Sequence, residues 1–232
     1  MLKFYISIFS LILYTSMTAQ KPSKETPISK DSLKIKTKKD LKIRLGFDIG
    51  KFTWAQVHQS QSIDLVADIN LRKNYYVILN LGQEKHHTEN SLLNFDTKGS
   101  YIRLGLDYNL YDNWPDMDNQ IFLGFRYGFS RFYSQLNSYT INQSNASLLP
   151  QSIEINKDFS PLSAHWLELT STMQVETFKN LYLGVGLSLK YLLYTEQNED
   201  FEVAYIPGFY KKNSYTNLGF GVQYLITYRF KI

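Results

Sequence analysis

The chain has 232 residues, of which 44% are hydrophobic and 20% are charged; it carries a net charge of +4 and contains no cysteine. This length suits one domain or two small ones. The lack of cysteine excludes a disulfide framework, a thiolate metal site and a cysteine nucleophile. The mean hydropathy of −0.29 is too low for a bundle of membrane helices. Beyond the first twenty residues, no stretch approaches the roughly 18 apolar residues of a spanning helix.

The N-terminal 40 residues differ in composition from the rest of the chain. Lys3 is a short positive region, residues 4–14 form a mainly apolar region, and the following residues up to Ala19 are mostly small, which is the order of a cleaved secretory signal. We predict cleavage after Ala19, with a buried N-terminal helix as the alternative. Residues 20–40 contain seven lysines, three acidic residues and no aromatic residue. Such a segment cannot bury enough apolar surface to fold alone, and we interpret it as a flexible, basic, periplasmic tail.

From residue 41 onward, apolar and polar residues alternate. In residues 41–50, LKIRLGFDIG, every odd position is Leu, Ile or Phe, and every even position is charged or glycine. Strict alternation predicts a β-strand with one apolar and one polar face. Seven further segments repeat the pattern, at 63–71, 75–81, 101–110, 121–130, 167–176, 181–191 and 217–232.

The links between these strands alternate in length. Short links fall at 72–74 and 178–180, a middling one at 111–119, and long ones at 52–62, 83–99, 133–164 and 195–214. Short turns at one end and long loops at the other are typical of outer-membrane barrels. An even number of strands places both termini at the periplasmic end. There Tyr75, Tyr108, Tyr228 and Phe230 would form an interfacial aromatic girdle.

Two soluble folds compete with this interpretation, a lipocalin-like barrel and a sandwich, whose apolar faces would point inward. Alternation alone does not distinguish inside from outside. Side-chain bulk favours the membrane barrel, because the apolar faces carry Leu, Ile, Phe and Tyr, whereas the polar faces combine glycine with charges that suit a narrow lumen. We therefore predict an all-β fold, an eight-stranded antiparallel transmembrane β-barrel over residues 41–232, with short periplasmic turns and long extracellular loops.

The polar faces bring six cationic and six acidic residues into the predicted lumen. Charges in so narrow a space must pair, since burying each one alone costs several kcal/mol. We expect a plugged, salt-bridged lumen rather than a water-filled pore, and a structural role for its members. The predicted network comprises Lys42, Arg44, Asp48, Asp64, Asp68, Arg103, Asp107, Arg126, Glu168, Glu176, Lys190 and Arg229.

Histidines are the candidates for catalysis. His165 has Ser163 nearby and Glu168 three residues on. Strand positions 165 and 168 face opposite ways, however, and no GxSxG elbow is present. The other three histidines are His58, His86 and His87.

Two segments carry ligand types for a metal ion: Glu84, His86, His87 and Glu89 in one, and Asp112, Asp116 and Asp118 in the other. Neighbouring residues of one extended segment rarely converge on an ion. The aspartates lack the glycine and the terminal glutamate of an EF-hand loop. We therefore predict no metal site, no cofactor and no enzymatic activity.

Three motifs carry a family resemblance: RYGFSRF at 126–132, HWLEL at 165–169 and YIPGFYKK at 205–212. With the final alternating strand, they resemble an uncharacterised family of small Gram-negative outer-membrane β-barrels, a domain of unknown function. The similarity runs from about residue 41 to residue 232. It implies a fold and a location in the outer membrane, and no activity or ligand.

These observations predict an integral outer-membrane protein with a structural or surface-binding role. The alternatives are an accessory subunit of an envelope transport or secretion assembly and a lipid-modifying enzyme with a loop histidine. Expected partners are outer-membrane lipids, the barrel-assembly machinery during biogenesis, and an envelope protein that contacts the tail or the loops. Residues 1–40 contain eight lysines and three acidic residues, whereas residues 41–232 contain 17 cationic and 18 acidic ones. The barrel is therefore nearly neutral, and nucleic acid is not an expected partner.

Overall fold

The computed structural model describes residues 42–57, 60–89, 93–113, 117–141, 151–196, 203, 205–211, 213 and 216–231. The predicted export signal (1–19) and basic tail (20–40) lie outside these residues. The chain divides into two units, Met1–Lys38 and Lys39–Ile232, and every described residue belongs to the second.

Strands make up most of the described chain. The elements are β1 Lys42–Asp48, α1 Ile49–Val57, β2 Gln61–Arg72, β3 Tyr75–Glu89, β4 Leu93–Asn109, β5 Gln120–Ile141, β6 Gln151–Phe178, β7 Leu181–Thr195, β8 Tyr205–Ile206, β9 Tyr210–Lys211 and β10 Leu218–Lys231. Eight of the strands close into an antiparallel barrel in the order β1-β10-β7-β6-β5-β4-β3-β2, which confirms the predicted fold. The short β8 and β9 form a separate hairpin. Among the described residues, no helix has the length and apolar character needed to cross a membrane.

The apolar faces of the barrel strands point outward and the polar faces point inward. Leu104, Phe125 and Leu187 face outward and are 55%, 54% and 61% exposed, whereas the inward-facing Arg103 and Glu168 are completely buried. A soluble barrel would show the reverse, with its apolar faces filling the interior. The tertiary structure thus decides a question that the alternation left open.

The strand register is staggered around the barrel. Starting from Leu79 on β3, the chain of directly paired residues that runs through β4, β5, β6 and β7 arrives at Leu218 on β10. In the other direction, through β2 and β1, the chain of paired residues from Leu79 arrives at Tyr228, which lies ten residues further along β10. A stagger of this kind accompanies strands that tilt by roughly 35–45° from the barrel axis.

Four strands extend far into segments that were predicted to be loops. β3 and β4 occupy most of the expected loop 83–99, and β5 and β6 run far into the expected loop 133–164. The apolar alternation marks only the part of each strand whose outer face is apolar. Beyond that part both faces are mixed, so the backbone pairing continues without a sequence signal.

The two ends of the barrel differ. At one end, which we call the turn end, the predicted links 72–74 and 178–180 are two-residue turns. The second turn includes Asn180 with a φ of 65°, a left-handed conformation that asparagine tolerates. We call the opposite end, toward which the long strands extend, the tip end.

Helix α1 replaces the predicted continuation of β1 and part of the predicted loop 52–62. Asp48 ends the strand, and its Oδ1 accepts hydrogen bonds from the backbone N–H groups of Gly50 at 2.9 Å and Lys51 at 3.3 Å. An aspartate in this position caps a helix by satisfying N–H groups that have no partner within the helix. The same oxygen accepts the N–H of Tyr224 on β10 at 3.1 Å. The Asp48 carboxylate therefore caps α1 at the end of β1 and also accepts a backbone N–H of β10 in place of a neighbouring strand.

Candidate functional site: the lumen network and its plug

The lumen network begins at the turn end with Arg229. Its Nη1 donates to Asp118, and its Nη2 lies 3.5 Å from Glu176 Oε1. Glu176 is part-buried and also accepts the N–H of Asn180 at 2.7 Å. The first ion cluster of the lumen is thereby tied to the turn between β6 and β7.

Two further arginines follow toward the middle of the barrel. Arg44 Nε donates to both carboxylate oxygens of Asp68, at 2.8 and 3.0 Å. Arg126 donates to Asp107 at 3.2 Å and to the side-chain oxygen of Asn80 at 3.2 Å. All five side chains are buried. Both cations are therefore neutralised away from water by a charge-assisted hydrogen bond.

Arg103 occupies the centre of the network and is fully buried. It donates to Asp64 through Nη2, and its Nη1 lies 3.5 Å from Glu168 Oε2. Lys190 lies 3.7 Å from the other oxygen of Glu168. One guanidinium thus links carboxylates from β2 and β6, two strands away on either side of its own strand β4.

Lys51 extends the network toward the tip end. This residue of α1 points into the lumen, where its Nζ lies 3.0 Å from Asp64 and 2.9 Å from Glu84. It also donates to the hydroxyl of Tyr101, which in turn donates to Asp64 at 2.8 Å. The helix is thereby anchored to β2, β3 and β4 through one buried ammonium group.

The β8–β9 hairpin enters the lumen above these charges and plugs it. At its turn, Gly208 donates its N–H to Glu84 Oε2 at 2.9 Å, and its carbonyl accepts from Lys190 Nζ at 2.6 Å. Gly208 has a φ of 82°, and a Cβ at this position would lie 2.6 Å from the ring of Tyr101, so only glycine fits. Phe209 is buried and packs edge-on against Trp166, with ring centroids 6.0 Å apart. Polar anchors below and aromatic packing beside the turn hold the plug in place.

The structure places ten of the twelve predicted network residues in buried positions. The two others, Lys42 and Glu176, lie toward the turn end with intermediate exposure. Asp48 is buried but serves as a helix cap. The ten are Arg44, Asp48, Asp64, Asp68, Arg103, Asp107, Arg126, Glu168, Lys190 and Arg229.

Three members of the network lie outside the predicted set. Glu84 continues the inward-facing even positions of β3, so extending that alternation through the expected loop would have found it. Lys51 lies in the unpredicted helix, for which the capping Asp48 was the available signal. Asp118 lies in the link before β5, where the neighbouring aspartates point only to a candidate calcium ligand.

The described histidines lie in three separate environments. His86 stacks on Tyr205 with ring centroids 4.0 Å apart, and its Nδ1 lies 3.4 Å from Ser60 Oγ. His87 faces the other side of β3, where Nδ1 is 2.8 Å from Asp96. His165 lies on the outside of the barrel, and its Nδ1 lies 2.5 Å from the hydroxyl oxygen of Tyr127. Their environments are those of packing and pairing groups, and the fourth candidate, His58, lies outside the described residues.

The candidate metal ligands also diverge. In the first segment, Glu84 is buried in the lumen network while His87 pairs on the opposite face of β3. In the second, Asp118 binds Arg229, and Asp116 lies outside the described residues. Within the described part of the chain, no three histidine, aspartate or glutamate side chains are arranged to hold a metal ion.

The three sequence motifs meet inside the barrel. Gly128 of RYGFSRF makes room for the indole of Trp166, because a Cβ there would lie 2.1 Å from that ring. Trp166 of HWLEL donates its indole N–H to Glu168 at 2.7 Å. Through Lys190, Glu168 is linked to Gly208 of YIPGFYKK. Motifs that are far apart in sequence thus build one contact region between the charge network and the plug.

A family model described as "Domain of unknown function (DUF6048)" matches residues 1–232. The chain belongs to this family. The match covers all three motifs, and it confirms the resemblance drawn from them. No curated protein matches this DUF6048 chain in sequence.

Several solved structures are similar to the DUF6048 barrel. One is the attachment invasion locus protein Ail of Yersinia pestis, with 12% identity and a TM-score of 0.39 over 82% of this chain and 98% of Ail. Neisserial surface protein A has 10% identity and a TM-score of 0.43 over 83% of this chain and 96% of its own. The N-terminal β-barrel domain of Pseudomonas aeruginosa OprF has 8% identity and a TM-score of 0.37, with coverages of 82% and 97%.

Proposed function

We propose that this protein is an integral outer-membrane β-barrel with a structural or surface-binding role, and that it is neither an open pore nor an enzyme. The observation that carries the proposal is a belt of exposed apolar side chains around the barrel, to which all eight barrel strands contribute. Soluble monomers rarely expose apolar patches larger than a few hundred Å². In a lipid environment this apolar surface is not in contact with water, so the free-energy cost of its hydration is absent.

The height of the belt suits a bilayer. On β7 the outward-facing positions from Leu181 to Leu193 are all apolar or aromatic. The twelve steps from residue 181 to residue 193, at roughly 3.3 Å each and with a tilt of about 40°, span about 30 Å along the barrel axis. The apolar band of an outer-membrane barrel is about 25 Å tall, so the belt on this strand is long enough.

Both borders of the belt carry the expected residue types. At the turn end, Tyr75 packs against Tyr108 and Tyr228 against Phe230, with ring centroids 4.9 Å apart in both pairs. Aromatic rings are favoured at the membrane interface. At the tip end, the outward-facing residues of β3 to β6 change from apolar to polar along one row of directly paired positions. The row comprises Gln83, Ser100, Arg131 and Ser163.

The interior supports a role without conduction. Buried ion pairs and the β8–β9 plug lie inside the lumen. An eight-stranded barrel has an interior just wide enough for side chains. Above the belt, β3 to β6 project beyond the polar row at Gln83 and Ser100, and this projecting part offers a contact surface. The described histidines are engaged in packing and pairing, which supports a non-catalytic role.

Leu123→Lys tests the proposal. Leu123 faces outward within the belt and is 47% exposed, so a lysine there should lower the free energy of unfolding in lipid vesicles by about 2 kcal/mol, since the cost of a charge falls from the bilayer midplane toward the interface. Gln83→Lys places the same side chain above the belt and should change the stability by less than about 1 kcal/mol. Urea unfolding, followed by the heat-modifiable gel mobility of the folded barrel, measures both. Equal effects of the two variants, or recovery of the folded protein as a soluble periplasmic species, would refute membrane insertion.

A further inference from the structure

The barrel wall is interrupted between β2 and β10. β1 pairs with β10 only up to Asp48 opposite Leu225, and with β2 only up to Phe47 opposite Leu65. Toward the tip end, the described part of the chain places no strand between residues 218–224 of β10 and residues 61–64 of β2. Helix α1 packs against both strands at this position. The wall here consists of one helix where the rest of the barrel has a hydrogen-bonded strand.

The interruption leaves backbone donors on the edge of β10. The N–H of Tyr224 points toward the gap and is taken by Asp48. Because backbone groups of a strand alternate in direction, the N–H groups of Val222 and Phe220 point the same way. Among the residues that the structure describes, none accepts a hydrogen bond from these two groups. Such donors inside a membrane need an oxygen acceptor.

A cleft of about 870 Å³ lies at the interruption and reaches from the outer surface to the lumen. Its mouth is formed by Phe220, Val222 and Tyr224, which belong to the apolar belt. Its inner wall includes Ser62 and Tyr210, a residue of the plug. The volume lies within the range of small-molecule sites. Because the mouth is continuous with the belt, the cleft opens toward the surrounding lipid.

The charges around the cleft favour an anion. Lys51 on the inner wall is already paired with Asp64 and Glu84. Lys85 and Lys211 add two exposed positive charges at the rim toward the tip end. An apolar mouth beneath two ammonium groups matches a molecule with a hydrocarbon chain and an anionic head.

We propose that this cleft is a lateral lipid-binding site, which holds one acyl chain of a membrane lipid whose phosphate headgroup carries a net negative charge and lies at Lys85 and Lys211. The inference rests on the proposed membrane insertion. The chain enters past Val222, and the ester and phosphate oxygens are acceptors for the donors at the edge of β10. A strand of another protein is the competing occupant, but it could pair only with residues 218–222. The helix closes the edge at Tyr224, where a Cβ on Gly50 would lie 2.5 Å from the ring.

The test uses the full chain in phosphatidylcholine vesicles that contain a small fraction of phosphatidylglycerol with a diazirine on its acyl chain. After illumination, mass spectrometry maps the labelled residues. We expect labelling at Tyr210 and Ser62 inside the cleft, in addition to the belt residues Leu104 and Leu169, which any surrounding lipid reaches. Phosphatidylcholine with the same diazirine should label the cleft less and the belt equally.

Two matched pairs of variants isolate the site. Val222→Trp fills the mouth of the cleft and should lower the labelling of cleft residues by about tenfold. Val185→Trp is the matched control and should leave this labelling unchanged. The two valines are 49% and 46% exposed and lie on the neighbouring strands β10 and β7. Lys85→Gln should lower the preference for phosphatidylglycerol by about fivefold. Lys98→Gln, at the position paired with Lys85 but outside the cleft, should not change it.

The outcomes separate this inference from the proposed function. Labelling of the belt without labelling of the cleft overturns the lipid site and leaves membrane insertion intact. If neither is labelled, membrane insertion fails as well. Photo-crosslinking in cells from p-benzoylphenylalanine at Phe220 gives a third readout. A protein adduct at that position in place of a lipid adduct overturns the lipid site in favour of a docked strand.

Discussion

Replacing Arg103 by methionine should destabilise the barrel more than the removal of an exposed charge above the belt. Arg103 is fully buried and holds Asp64 and Glu168, which are 1% and 0% exposed. Removing one partner of a buried ion pair leaves an uncompensated charge and costs about 3–5 kcal/mol. Each carboxylate keeps a second cation here, Lys51 for Asp64 and Lys190 for Glu168. We therefore expect the lower end of that range, about 3 kcal/mol.

A double-mutant cycle distinguishes the ion pair from the loss of packing. Asp64→Asn removes one of the two charges that Arg103→Met leaves behind, so the double variant should be more stable than the two single effects predict. We expect a coupling of about 1–3 kcal/mol, as is found for residues of one network. Urea unfolding in lipid vesicles supplies the free energies. Arg131→Met, an exposed change above the belt, is the control and should stay within about 0.5 kcal/mol.

A loss of less than about 1 kcal/mol for Arg103→Met would refute the reasoning, and so would additive effects in the cycle. Either result would mean that water reaches the centre of the lumen and solvates the carboxylates. The charge network would then not seal the barrel, and the proposal of a closed lumen would have to be abandoned.

Three further predictions concern single side chains. Asp48→Ala removes the cap of α1 and should lower the free energy of unfolding, measured in urea, by about 1–2 kcal/mol. Asp48→Asn keeps a hydrogen-bond acceptor and should lose less stability. Equal losses for the two variants would contradict a capping role. Gly128→Ala places a Cβ 2.1 Å from a buried indole, so it should lower the free energy of unfolding by about 1–3 kcal/mol and change the near-UV circular dichroism. Gly186→Ala is the control, because its nearest atom lies at 2.9 Å, and it should cost less than about 1 kcal/mol. A larger loss for Gly186→Ala than for Gly128→Ala would contradict the packing. Above the belt, burial alone would raise the pKa of Asp96, but hydrogen bonds from Asn137 and His87 outweigh it and hold this pKa below 3.8. The resulting stabilisation is present above pH 3.8 and is lost as the pH falls through the lowered pKa; His87→Ala should move the carboxyl titration observed by NMR upward, and an unchanged titration would contradict the pairing.

The sequence anticipated the fold because period-two alternation is a local property. Eight segments alternate, and each of them overlaps one barrel strand of the structure, although residues 49–50 of the first segment belong to α1. The residues predicted to share an inner face, such as Arg103 and Asp107 on β4, do share it. The extensions of β5 and β6 escaped detection because strand pairing beyond the belt imposes no apolar pattern on the outer face.

Helix α1 was not foreseen for a different reason. Residues 41–50 alternate up to Gly50, so the sequence pattern continues the strand past Asp48. The helix starts where it does because the Asp48 carboxylate accepts three backbone N–H groups, one of them on β10. That third donor comes from a strand 176 residues away in sequence, which no local pattern records.

The sequence by itself determined the strands, their faces and the balance of charge between the faces. The tertiary structure decided which cation meets which anion. Arg126 lies directly opposite Glu168 in the strand register, yet it donates to Asp107, while Glu168 lies close to Arg103 and Lys190. Pairing across a lumen depends on the stagger that accumulates around the closed ring, and on how far long side chains reach over it. Both are properties of the closed barrel as a whole, and they also fix where the plug is seated and where the wall is left open.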